Sequence, residues 1–374
     1  MATRKPERIA IVGPVPPFRG GIAQHTLMLS RALMRHAQVR VLSFTRQYPR
    51  WLYPGATDFD PTWERSREPD CHYLLDSLDP RSWQRTVAAI VEFRADAVIV
   101  PWWSAYWTFC SAYLTRRLAS HGIPSCFVCH NVAGHGAAGW SRPLVKFGLR
   151  AGSGFVVQSD QEASLLQRWM PDARIAVAPH PVYSQYPEPT NVPPRRAALE
   201  LLFFGFVRPY KGLEVLIQAL AQLKERDVIL TVAGEFWERP ERFRKLIGSL
   251  GLDGKVQLIN RYVEEAEAAA LFARADALVM PYLRATGSGV LGLAYRYGKP
   301  VIASSVAGLA EHVQDGATGF LVEAGSADQL AVAIGRISPS LGQSMKPAIE
   351  LLAGNLTWEA LAATVVQQVQ CGSR

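Results

Sequence analysis

LELLFFGFVRPYKGLEVLIQAL (Leu199–Leu220) sets the fold class. Leu199–Phe204 is apolar at five of six positions and stops at Gly205, the pattern of a strand buried on both faces. Beyond a loop with Arg208, Pro209 and Gly212, the leucines at 213, 216, 220 and 223 recur at helical spacing, so a helix is expected over Lys211–Lys224. Strand, glycine loop and helix are the parts of a parallel α/β unit. The series continues with expected strands at Val228–Val232, Val256–Ile259, Ala277–Met280 and Pro300–Ala303.

Upstream the same alternation runs once more. Arg8–Val12 (RIAIV) reads as a strand, followed by a loop with three prolines, Gly20 and Gly21, and by a helix from Ile22 to about Arg35 with Ile22, Leu29 and Leu33 on one face. Further strands are expected at Val39–Phe44, Ala97–Val100, Ser125–Cys129 and Gly154–Gln158. SQYPEPTNVPPRR (Ser184–Arg196) has four prolines and no periodicity, which marks a linker. The expected organisation is α/β: a Rossmann-like domain over 1–183, the linker 184–196, a second Rossmann-like domain over 197–355, and a tail 356–374. The tail carries a helix over Thr357–Gln370, capped by Thr357 and packing back on the first domain. Two doubly wound sheets are then expected to face each other across a cleft, with ligands at their carboxyl ends.

Composition narrows the class. With 374 residues, 49% hydrophobic and 10% aromatic, the chain is no disordered tract, collagen or coiled coil. Five cysteines make no disulfide framework, and MATRKPERIAIVGP is too short in its apolar part for a signal peptide, so a cytosolic location is expected. Residues 1–187 hold 21 Lys and Arg against 13 Asp and Glu, a balance of +8; the remainder is neutral. The first half therefore expects an anionic partner: a phosphorylated ligand, an anionic bilayer or nucleic acid. Nucleic acid is the weakest of these, because no nucleic-acid module is present.

Four motifs invite other readings. Ala97–Thr115 is nineteen residues without a charge, but Pro101 and Ser104 are expected to break it into a strand and a helix; Trp102, Trp103 and Trp107 could dip into a membrane surface. Cys126–His130 fits the CxxCH pattern of haem attachment, yet its cysteines fall within a strand. Gly287–Gly292 fits GxGxxG, but the preceding strand ends too early for a dinucleotide turn. Asp58 and Asp60 resemble a carboxylate pair and read as solvated loop.

Three glycine loops, Gly20-Gly21, Gly205–Gly212 and Thr286–Gly289, each lead from a strand towards a helix. Helix N-termini together with Arg208 and Lys211 suit a diphosphate and could neutralise a departing one without a metal. The stretches PPFRGGIAQHTLMLSRAL (Pro16–Leu33), CHNVAGH (Cys129–His135), VVQSDQEASLL (Val156–Leu166) and APHPVY (Ala178–Tyr183) carry a family resemblance. It continues through VAGE (Val232–Glu235), NRYV (Asn260–Val263), ADALVMPY (Ala275–Tyr282) and SGVLGLAYRYGKPVIASSVAGLAEHVQDGATGFLV (Ser288–Val322). Over nearly its whole length the chain resembles the retaining glycosyltransferases of family 4, which have the two-domain GT-B fold; this motif set resembles a bacterial polysaccharide branch.

The resemblance implies a nucleotide-diphosphate sugar as co-substrate, no other cofactor and no metal. It places Gly20, Gly21, Ser288 and Gly289 at the donor phosphates and Tyr262 and Val263 at the nucleobase; Gly205 and Thr286, from the glycine loops, are expected to bind the donor as well. Arg208 and Lys211 match the pair that holds the diphosphate, and His130 the histidine near the transferred sugar. Glu235 is placed with the donor, without a defined role. The family's paired glutamates fall at Ala285 and Leu293, neither of them acidic, which leaves a non-catalytic partner protein as an alternative, beside an epimerase of the same fold. RQYPRWLYPG (Arg46–Gly55) interleaves Arg46 and Arg50 with Tyr48, Trp51 and Tyr53, as a glycan or polyprenyl-diphosphate-linked acceptor at the inner membrane face would require.

Overall fold

The computed structural model describes residues 5–52, 58–59, 70–133 and 141–370. The chain divides into two compact units: Met1–Pro179 with Trp358–Arg374, and His180–Thr357.

The first unit is a parallel sheet of seven strands, β1 (Arg8–Val12), β2 (Gln38–Arg46), β3 (Cys71–Asp76), β4 (Ala97–Trp102), β5 (Ser125–Cys129), β6 (Gly154–Val157) and β7 (Ile175–Val177), in the order β3-β2-β1-β4-β5-β6-β7. Crossovers include α1 (Gly21–Leu33), α2 (Pro80–Glu92), α3 (Thr108–Ser120), α4 (Ser141–Leu149) and α5 (Asp160–Trp169). β4 and β5 are buried at every position, as helices on both faces require. β4 runs through Pro101, where the sequence expected a break. Its pairing with β1 ends at Ile99, and the Pro101 ring occupies space above Gly13, where a Cβ would lie 2.9 Å from the ring. Trp102 and Trp107 are buried, so neither dips into a membrane.

The second unit has six parallel strands, β8 (Leu199–Phe204), β9 (Val228–Ala233), β10 (Val256–Ile259), β11 (Ala277–Met280), β12 (Val301–Ser304) and β13 (Gly319–Val322), ordered β10-β9-β8-β11-β12-β13. Its helices are α6 (Leu213–Ala221), α7 (Pro240–Ser249), α8 (Glu265–Arg274), α9 (Gly289–Arg296), α10 (Ala307–Ala310), α11 (Ala327–Arg336) and α12 (Pro339–Asn355). The helix expected from Lys211 begins two residues later. Pro209–Lys211 form one 3-10 turn, and Gly212 breaks it with φ +67°, its α-carbon so close to the Pro281 carbonyl that an added Cβ would overlap it.

Ser184–Arg196, expected as the linker, lies inside the second unit, and the division falls earlier, at Pro179. Residues 182–188 are tied into that unit: the Val182 N–H donates to the Leu356 carbonyl (2.8 Å), and Arg296 bonds Glu188 (2.6 Å).

After α12 the chain returns to the first unit as α13 (Trp358–Gln370). Trp358, Leu361, Ala362, Val365, Val366 and Val369 form its buried stripe. Arg174 donates to the Gln368 carbonyl (3.1 Å), and Trp358 meets the His25 ring edge-on at 4.9 Å. Among the described residues, the helical run Pro339–Gln370 is long and apolar enough to cross a membrane by length and composition, but it is two helices parted at Leu356–Thr357. Trp358→Ala should lower unfolding free energy by about 3–5 kcal/mol, the usual cost of deleting a buried tryptophan. Urea unfolding measures the loss, and limited proteolysis should then cleave first within 358–370.

Candidate functional site

In a doubly wound sheet, ligands bind beyond the carboxyl ends of the strands where the strand order reverses. In the second unit the reversal lies between β8 and β11. The loop after β8 carries Gly205, Arg208, Tyr210 and Lys211; the loop after β11 carries Tyr282, Thr286 and Ser288 and opens into α9 at Gly289. The Leu283 N–H donates to the Tyr210 carbonyl (2.7 Å), which ties the two loops together.

Lys211 is 7% exposed. Its Nζ lies 5.3 Å from the Tyr282 ring centre and beside Gly205, where a Cβ would stand 3.2 Å from it. Burial, reinforced by the positive charge of Arg208, pulls its amine down from 10.5 to about 7. The Arg208 guanidinium stacks 3.6 Å over the Trp237 ring, with Phe206 on another side at 5.7 Å, and Arg208 also bonds Tyr210. Two basic side chains are thus held close together by aromatic walls.

Ser288 is the N-cap residue of α9, and its side chain bonds Tyr282. The loop before it lies on α10 so closely that a Cβ on Gly308 would come 2.3 Å from the Thr286 backbone. Beneath the start of α9, a Cβ on Gly289 would lie 2.8 Å from the Tyr183 ring, and one on Gly292 3.1 Å from the Pro181 carbonyl. Gly289 and Gly292 of the GxGxxG pattern therefore have a packing reason: they let residues 181–183 approach α9. His180 completes this underside. Its Nδ1–H donates to the Pro181 carbonyl (2.8 Å), Nε2 accepts from the Tyr183 hydroxyl (3.2 Å), and burial holds it at about 4, hence neutral.

Glu235 follows β9, where its carbonyl accepts from the Val207 N–H (2.9 Å). Tyr262 and Val263 follow β10, the edge strand, two places from β8; Val263 is buried, and the Tyr262 carbonyl accepts from Arg261 (3.3 Å). The contacts thus join Gly205, Arg208, Lys211, Ser288 and Gly289 into one cluster, with the other three at neighbouring strand ends. Ala285 and Leu293, where the resemblance expects acids, are both buried.

In the first unit, Gly20 takes φ +103° before α1, and Gly21 is the helix's first residue. His130 follows β5. Its N–H donates to the Trp102 carbonyl (2.8 Å), and its Nδ1 lies 3.0 Å from the Gln158 amide. The buried His25 ring stands edge-on to it at 4.3 Å. From the first turn of α5, Glu162 accepts the Val132 N–H (2.5 Å), and burial raises its carboxyl. The turn from β6 into α5 thus grips the segment that carries His130. Sequence reasoning missed His25, Gln158 and Glu162. Ser159 caps α5 by accepting from the Glu162 N–H, and the Glu162 carboxylate reaches across to another loop.

The aromatic–basic segment is less open than expected. Arg46 is paired twice with Asp76 (3.0 and 2.8 Å). The Tyr48 hydroxyl accepts from Trp103 (2.7 Å) and Trp107 (3.4 Å) within an aromatic cluster, whereas Trp51 is 84% exposed. The Arg50 side chain, Tyr53, Gly55 and Asp60 lie outside the described residues. Cys126 and Cys129 are fully buried, and burial pushes both thiols up, Cys126 to about 12, so haem attachment is excluded there.

Residues 20–181 match the family model described as glycosyl transferase 4-like domain, and residues 198–338 that described as glycosyl transferases group 1. GDP-mannose:glycolipid 4-beta-D-mannosyltransferase of Xanthomonas campestris pv. campestris is 30% identical over 277 residues, covering 67% of this chain and 73% of that protein. D-inositol 3-phosphate glycosyltransferase of Streptomyces griseus is 31% identical over 50% of this chain and 44% of its own. A glycosyltransferase from Rickettsia africae has a similar fold, with a TM-score of 0.75 at 18% identity and 98% of both chains covered. Anabaena HepE, solved in complex with UDP-glucose, reaches 0.71 at 16% identity, covering 96% of this chain and 98% of its own.

Lys211 makes stability depend on pH. Because its folded value lies near 7 and its unfolded value near 10.5, the unfolded chain binds more protons between them. Stability contributed at this position must therefore rise from pH 7 towards pH 10. Urea unfolding of the wild type and of Lys211→Met at pH 7 and 9.5 should show the wild type gaining relative to the variant.

Proposed function

The chain belongs to the family 4 glycosyltransferases of the GT-B fold, and from that premise we propose that it moves a hexose from a nucleoside-diphosphate sugar to a glycan or polyprenyl-diphosphate-linked acceptor, with retention and without a metal. The observation that carries this is the Lys211–Arg208 pair at the switch point of the second unit, beside the start of α9. Two cations and a helix N-terminus meet the charge that grows on a diphosphate as it leaves. A retaining front-face transfer then needs no protein nucleophile. The bond between the anomeric carbon and the diphosphate oxygen breaks, the acceptor oxygen bonds to the same face, and its proton passes to the departing phosphate.

In this reading Gly205, Thr286, Ser288 and Gly289 present backbone to the phosphates, Tyr262 and Val263 meet the base, and Glu235 lies on the donor side. For the first unit, the family resemblance assigns Gly20 and Gly21 to the donor phosphates and His130 to the transferred sugar, and Trp51 offers a ring face to the acceptor. Reaction at the cytoplasmic face of a membrane suits a lipid-linked acceptor, as the Xanthomonas relative is named for a glycolipid.

That relative's name also specifies a β-linked mannose, which favours a second reading. From an α-linked donor, a β product requires inversion and a general base on the acceptor side. The anomeric proton coupling of the product, measured by NMR with GDP-mannose and UDP-glucose as donors, separates the two: an unchanged configuration supports retention, and a reversed one removes the front-face course.

Bound diphosphate should draw a proton onto Lys211, so calorimetric affinity for the matching nucleoside diphosphate should fall as pH rises from 7 to 9. Lys211→Ala should flatten that profile and cut turnover by ~10² or more. Turnover within a few-fold of wild type in that variant would remove Lys211 from the mechanism.

A further inference from the structure

The 63 residues 97–159 contain no aspartate or glutamate, yet they carry Arg116, Arg117, Arg142, Lys146 and Arg150. All five cations are exposed, on α3, on α4 or just beyond its end, and these two helices pack together. Arg142, Lys146 and Arg150 recur every four residues, which lines them along one stripe. Beside it, Phe147 is 39% exposed and Phe109, in the first turn of α3, 63%. Their ring centres are 6.2 Å apart, and the Arg116 guanidinium lies 4.2 Å over the Phe147 ring. On the inner side, Leu114, Leu118, Val145 and Leu149 are buried, so both helices are anchored and the outward face is fixed.

Exposed apolar residues scattered singly need no explanation. Two adjacent phenylalanines among five cations with no acid are a different composition: apolar rings with basic surroundings, as on helices that lie in a bilayer interface. We infer that the α3–α4 face of the first unit docks on an anionic lipid bilayer. Phe109 and Phe147 enter the boundary between headgroups and acyl chains, while the five cations meet lipid phosphates. Arginine and lysine stems lie along apolar surface with their charges at the headgroups, which matches Arg116 folded over Phe147. An acidic protein or RNA would satisfy the charge but give the two rings no apolar layer to enter. The inference rests on the reading of a lipid-linked acceptor and names the surface that brings the enzyme to it.

The test is vesicle flotation of the full chain, without donor or acceptor present. Vesicles of phosphatidylcholine with roughly one-third phosphatidylglycerol should carry the protein up, and pure phosphatidylcholine should not. Binding should disappear near 1 M salt, where screening acts over ~3 Å. Lys146→Glu/Arg150→Glu and Phe109→Ser/Phe147→Ser should each weaken it by ~10-fold or more, with thermal midpoint and nucleoside-diphosphate affinity unchanged. Equal flotation on both vesicle types, none on either, undiminished flotation of both variants, or capture by RNA or polyglutamate but not by vesicles would each overturn the inference. Turnover on a detergent-solubilised lipid-linked acceptor is scored separately. Turnover without flotation defeats the docking surface alone, and flotation without turnover defeats the transferase reading alone.

Discussion

A lysine amine held out of water organises the second unit. Burying Lys211 costs free energy as long as it is charged, and the low folded proton affinity of the amine expresses that cost. Its surroundings leave little room to avoid it. Gly212 is left-handed and has no room for a side chain beside the Pro281 carbonyl, Gly205 must lack a side chain beside Nζ, and Tyr282 walls the amine on another side. A left-handed turn and two positions where glycine is required thus surround a charge whose burial is unfavourable.

The first unit solves a different problem, the orientation of an imidazole. His130 sits where β5 ends, and that position alone leaves its ring free to swing. Gln158 fixes Nδ1, His25 blocks one side of the ring, and Glu162 holds the next turn of backbone through Val132. His25 is itself braced by Trp358 from α13, so the chain's last helix helps to set the ring's position. A helix at the far end of the sequence thereby supports a loop near residue 130.

Charge is distributed differently in the two units. The second unit concentrates cations at one point, two of them, walled by aromatic rings. The first spreads them over outward-facing helix surface, which suits an extended anionic plane better than a single phosphate. Arg46 shows why a basic residue in sequence is not enough: its pairing with Asp76 spends its charge within the unit.

The sequence by itself determined the alternation of strands and helices, both parallel sheets and the glycine loops, because burial on two faces and helical spacing leave local signatures at 199–223 as clearly as at 8–35. It also marked Arg208 and Lys211, since cations in a glycine loop between a strand and a helix are a local pattern. Tertiary structure decided the rest. That Pro101 continues a strand depends on the space above Gly13; that only glycine fits at 212 depends on the carbonyl of Pro281. The stretch 184–196 looked like a linker from its prolines, yet the chain passes between units at Pro179 because residues 182–188 are tied into the second. His25 and Gln158 meet His130, and Glu162 the backbone two residues on, only once segments 28 to 105 residues apart in sequence come together, as Tyr48 enters an aromatic cluster only by meeting Trp103 and Trp107. Spacing along a chain reports what a residue's own element does; which side chains close around a ring or an amine is set by neighbours that only folding supplies.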